Sequence, residues 1–103
     1  MEIKTYVDYE KARELDNRVI GAIAEGKSAM KDLQEARSSL NFAALSVIFY
    51  EDSIYKYVDE ASEQVSQMER MLRNQIAQWV RQSNEIEDAM RAFEEAEKDG
   101  ASA

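Results

Sequence analysis

Of the side chains able to do chemistry, this sequence carries Asp, Glu, Lys, Arg, Ser, Thr and Tyr, but no His and no Cys. That removes imidazole and thiolate metal ligands, disulfides, and the commonest catalytic base and nucleophile. A di-iron bundle site built on Glu-x-x-His cannot exist here. Two acidic clusters remain, Glu85, Glu87 and Asp88, and Glu94, Glu95 and Glu97; each could hold a hard cation weakly, but each reads first as a solvated face. Gly26-Lys27-Ser28 echoes the end of a phosphate-binding loop, yet it lacks the preceding strand and the spaced glycines. Catalysis needs a positioned acid, base or nucleophile in a water-poor pocket. With the candidates spread over polar faces, the expectation is a protein with no catalytic residue, no cofactor and no metal.

The elements that would carry these residues are helical. Zero Pro and three Gly in 103 residues, with abundant Ala, Glu, Gln, Arg and Met, favour helix almost everywhere. Thr5-Tyr6-Val7-Asp8 fits a capping box at the start. Lys98-Asp99-Gly100 puts a cation and a chain-turning glycine at the other end, which leaves 100–103 as a disordered tail behind one domain, 1–99.

Apolar residues recur every seven. One row is Ala12, Val19, Gly26, Leu33, Leu40 and Val47, continuing through Ile54 and Ala61 to Met68. A second is Val58, Val65, Leu72, Trp79, Ile86 and Phe93. Such rows keep facing one partner helix over many turns. A small-residue row, Ala22, Ala29, Ala36 and Ala43, runs beside the first and would let a helix backbone come close. Gln75, Gln82, Ala89 and Ala96 flank the second. Trp79 reads as core, and Met68, Met71 and Met90 lie near the same stripe.

An uninterrupted helix would be about 150 Å long, so the chain is expected to fold back. Three places compete for the turn: 25–28, 38–41 and 51–53. The last gives arms of nearly equal length, with Asp52 or Ser53 as N-cap. It sets Val47 against Val58, Leu40 against Val65, Leu33 against Leu72 and Gly26 against Trp79. The fold class is therefore all-α, an antiparallel, coiled-coil-like helical hairpin.

The densest apolar run lies at the turn end. Phe42, Leu45, Ile48, Phe49, Tyr50, Tyr55 and Tyr57 cannot all face one seam, and burying each such side chain is worth about 1.5 to 3 kcal/mol. This set is the candidate partner interface. Oligomerisation into a four-helix bundle, as a homodimer or with another helical protein, would cover it.

A net charge of −8 argues against nucleic acid and against anionic membrane surfaces. No run reaches the eighteen or so apolar residues of a membrane span, and Met1-Glu2-Ile3-Lys4 does not open a signal peptide. A cytoplasmic protein is expected, reaching the outside only through a dedicated export system.

In size and pattern the chain resembles the WXG100 (ESAT-6-like) proteins of type VII secretion. Their export signal sets an aromatic four residues before an acid near the end of the second helix, and Phe93-Glu94-Glu95-Ala96-Glu97 stands in that place with Phe for the usual Tyr. Tyr55–Asp59 and Tyr6–Glu10 match the same spacing. The Trp-x-Gly turn is missing: Trp79 is followed by Val80-Arg81, inside the second helix. The resemblance implies pairing of hairpins, a larger effector as companion, and presentation of Phe93 and Glu97 to an export ATPase. A cytosolic coiled-coil adaptor or assembly chaperone fits the same pattern, and a membrane-active hairpin is a third reading.

Overall fold

In the computed structural model, residues 1–47 and 52–102 are described, with side chains for 1–45 and 55–100. Two α-helices account for nearly all of them: α1, Tyr6–Val47, and α2, Asp52–Ser102. The architecture is an all-α helical hairpin. Helix α1 passes unbroken through Gly26 and Asn41, so neither of the earlier turn candidates is used. Helix α1 ends at Val47 and α2 begins at Asp52, as arms of nearly equal length require.

The start of α1 follows from its first residues. The Thr5 hydroxyl accepts a hydrogen bond from the Asp8 amide at 3.1 Å, and the Thr5 carbonyl accepts from the Tyr9 amide at 3.0 Å. One otherwise orphaned donor is thereby satisfied, and the Asp8 carboxylate sits in the first turn, where the helix dipole favours it. The end of α2 differs from expectation. It continues through Gly100 to Ser102 without a left-handed glycine.

The chain divides into two compact units: residues 1–24 with 77–103, and residues 25–76. Each is a pair of antiparallel helical segments held along one seam. In the first, Ala12 and Ile86 are the buried apolar side chains, with Val19, Ala89, Met90 and Phe93 half-buried beside them. In the second, Leu33, Leu40, Val58, Val65 and Leu72 are half-buried, and Leu33 and Leu72 line one groove as the spacing requires.

The seven-residue rows beginning at Ala12 and at Val58 are therefore the seam. Their companions are not those expected. Ala22 and Ala43 are half-buried, but Ala29 and Ala36 between them are exposed; Gln75 and Ala89 are half-buried, but Gln82 and Ala96 are exposed. Neither row closes the hairpin along its length. That place is taken by Asp16, Ile23, Met30 and Arg37 on α1, and by Ser62, Glu69, Ile76 and Ser83 on α2, all buried or half-buried. The physical reason is phase: these rows lie on the other side of each apolar row, and a period of seven does not say which side is covered. In α2 the first row continues at Ala61, which is half-buried, and at Met68, which is 48% exposed.

Ile86 is 5% exposed and is the largest buried apolar side chain among the described residues. Its truncation leaves a cavity beside a groove that water already reaches, which places the cost near the lower end of the usual range. Ile86→Ala is expected to lose about 2 to 3 kcal/mol of stability in urea unfolding followed by circular dichroism.

Candidate partner-binding surface

The candidate interface is wet where it is described. Phe42 is 74% exposed and Tyr57 72%, and Leu45 and Tyr55 are also exposed. Leu45 and Tyr55 line a shallow groove with Ala44 and Val58, which brings these two members of the set together across both helices. Ile48, Phe49 and Tyr50 lie outside the described residues. The four large apolar side chains on view are what a neighbouring helix would cover.

The other candidate pair behaves differently. Phe93 is half-buried, its ring 5.3 Å from that of Tyr9 and tilted by 30°, while Glu97 is exposed. Tyr9 in turn stacks on Tyr6 at 6.4 Å, and its hydroxyl donates a hydrogen bond to the Glu94 carboxylate. The aromatic of the candidate export signal thus packs against a residue in the first turn of α1. Hydrogen bonding to Glu94, followed by loss of hydration, raises the Tyr9 pKa above its ordinary value of 10.0. Tyr6 is raised in the same direction, first by its hydrogen bond to Glu10. Arg13 completes this local set, donating to Glu10 at 2.7 Å.

Two polar contacts inside the seam escape a reading based on apolar rows. The Ser83 hydroxyl donates to Asp16 at 2.6 Å, and both residues are buried. In the other unit Arg37 meets Glu69 at 3.1 Å; Glu69 is 2% exposed, and its second carboxylate oxygen has no hydrogen-bond partner. The signal that could have found them is position: 16 and 37 are twenty-one apart, 69 and 83 fourteen apart, all on seven-residue rows. An Asp–Ser contact echoes an activated nucleophile, but the sequence has no imidazole to relay the proton. Its role is to fix which residues of the two helices stand opposite.

Trp79 is half-buried on the seam row, and Met90 lies with it, whereas Met68 and Met71 face water. Among the described residues no three acidic side chains converge on a point where a cation could sit. None of the described helices is long and apolar enough to cross a membrane. Compared with protein-family models, with curated proteins and with solved structures, the chain matches none.

Two outcomes follow from these contacts. Arg37→Met alone strands the Glu69 carboxylate and is expected to cost about 1 to 3 kcal/mol, the half-exposed guanidinium keeping it below the fully buried case. Arg37→Met with Glu69→Met is expected to match or exceed the parent chain, because an imperfectly satisfied buried charge is removed. A double-mutant cycle in urea measures both. For Tyr9, folding raises the pKa, so the Glu94 bond contributes fully below about pH 10 and is lost as pH climbs through the folded-state value. Tyr9→Phe is expected to flatten that alkaline loss, compared with the parent chain in unfolding curves between about pH 8 and 11.5.

Proposed function

We propose that this chain is a non-enzymatic helical interaction module that completes its core by pairing with another helical hairpin. The observation that carries the reading is the mismatch between inside and outside. Among the described residues Ala12 and Ile86 are the buried apolar side chains, while Phe42, Leu45, Tyr57 and Met71 stand largely in water. Exposed apolar area of this kind, on a hairpin with so thin a core, supplies the driving force for association. A single layer of helices buries only one side of each element, and a second layer covers the other.

Within that class, the proposed role is that of a WXG100-like type VII secretion substrate, or a targeting partner that accompanies a larger effector to an export ATPase. Support comes from the hairpin architecture and from Phe93 and Glu97, four residues apart near the end of α2. The alternative, a coiled-coil adaptor or assembly chaperone that remains in the cytosol, is favoured by one specific contact: Phe93 packs on Tyr9 instead of standing free.

The test separates association from export. Phe42→Glu with Leu45→Glu is expected to weaken assembly or partner capture at least about tenfold at unchanged helicity, read by light scattering and by pull-down from the native host. Phe93→Ala is expected to abolish appearance of the tagged chain in the culture medium while leaving assembly intact. Export unaffected by Phe93→Ala and Glu97→Ala would leave the adaptor reading standing. Assembly untouched by the Phe42 and Leu45 substitutions would remove that end as the interface.

A further inference from the structure

In the unit formed by residues 25–76, the face of α2 turned away from α1 is built from rows seven residues apart. Glu63 and Arg70 form its edge, Glu60, Gln67 and Asn74 the next row, and Tyr57, Gln64 and Met71 the third, and every one of these side chains is exposed. Met71 is 72% exposed, and Met68, on the seam side of it, 48%. Met68, Met71 and Gln75 share a groove with Leu33 and Leu72. Glu60, Glu63, Gln64 and Gln67 line a separate shallow hollow nearer the start of α2.

Charge on this face is segregated along the helix: Glu60 and Glu63 precede Gln67, and Arg70 follows it. Neither Glu63 nor Arg70 has an opposite charge three or four residues away on α2, and among the described residues neither makes an ion pair. Lys56 balances Glu60 and Arg70 balances Glu63, so these rows are electrically neutral in a chain of net charge −8.

We infer that a second copy of this chain docks on this face, with the two α2 helices antiparallel and a two-fold axis passing beside Gln67. Equivalent rows of two antiparallel helices run side by side, so the edge row of one copy meets the edge row of the other. With Gln67 at the axis, Glu63 of each copy stands against Arg70 of the other, and the charges left without partners in one chain find them in two. A slide of one heptad would set Glu63 against Glu63 or Arg70 against Arg70, and a parallel pair in register would set acids level with acids. Charge therefore selects direction and register together. The hollow fits the same arrangement: Glu60, Glu63, Gln64 and Gln67 receive Asn74, Arg70, Met71 and Gln67 of the other copy. Gln67 against Gln67 is self-complementary, because a carboxamide both donates and accepts. Met71 gains cover, and its adaptable side chain suits a shallow site. A second copy supplies all of these groups, and it meets a neutral face instead of the repulsion that two chains of this net charge would otherwise feel.

This inference rests on the pairing of hairpins proposed above and commits to the partner and to one face of α2. Glu63→Arg and Arg70→Glu, each alone, place like charges at both symmetric contacts and are expected to raise the dimer Kd at least about tenfold at unchanged helicity. Both substitutions in one chain restore opposite charges with the net charge unaltered, and the Kd is expected to return to within about threefold of the parent. Because the chain has no native Cys, Gln67→Cys sets a single thiol beside the axis. On oxidation it is expected to give disulfide-linked dimer in at least about fivefold the yield of Gln34→Cys, an exposed position on α1, since docking raises the local thiol concentration to the millimolar range. A dimer whose Kd ignores the single reversals, or is not restored by the double one, would overturn this face while leaving the interaction-module reading in place. Cross-linking through Gln67→Cys no better than through Gln34→Cys would overturn the register. A parent chain that stays monomeric by light scattering at about 100 µM would overturn the second copy as occupant. The module reading would then be decided separately, by whether Phe42→Glu with Leu45→Glu abolishes capture of another helical protein.

Discussion

In each of the two units the structure depends on one helix-to-helix seam. Two helices in contact bury one stripe of each, so most of their surface stays in water however well the stripe is packed. The seam here is further thinned by its own residues. Ala12 and Gly26 on α1 are buried but contribute little area, and Trp79 and Leu72 on α2 remain half-buried. A core of this kind leaves little stability in hand, since folding is a small difference between large opposing terms. Packing within the hairpin and covering of its outer apolar residues are therefore parts of one free-energy balance.

The polar members of the seam make the arrangement definite. A purely apolar period of seven can slip by a heptad and find nearly equivalent contacts, because one leucine replaces another. Asp16 opposite Ser83, and Arg37 opposite Glu69, cannot slip without leaving a buried carboxylate or hydroxyl unpaired. The second Glu69 oxygen, buried with no partner, is a cost already present in the chosen register. Such contacts trade stability for uniqueness of register.

Much of this is legible in the residues and some is not, for reasons that can be named. The helix start is readable because Thr5 and Asp8 have a local job visible in four residues. The hairpin and its reversal near Asp52 are readable because the rows from Ala12 and from Val58 have opposite sense about that point. The companion rows are not, because periodicity fixes spacing and leaves phase open: Ala29 and Ala36 lie seven apart as faithfully as Met30 and Arg37 do. Residue type then points the wrong way, since alanine looks like an inside residue and arginine does not. The same bias hides Glu69 and Asp16. Phe93 is legible as an aromatic near the end of α2, but its contact with Tyr9 joins residues eighty-four apart in sequence, and no local pattern reports that.

The exposed apolar side chains and the thin seam belong to one account. Phe42, Leu45, Tyr57 and Met71 stand largely in water while few apolar side chains are buried among the described residues. On the proposed reading, a neighbour that covers them binds the folded form alone and stabilises it by mass action. The polar pairs Asp16–Ser83 and Arg37–Glu69 hold each unit in one register, so on that reading the apolar side chains would meet the neighbour in a fixed order.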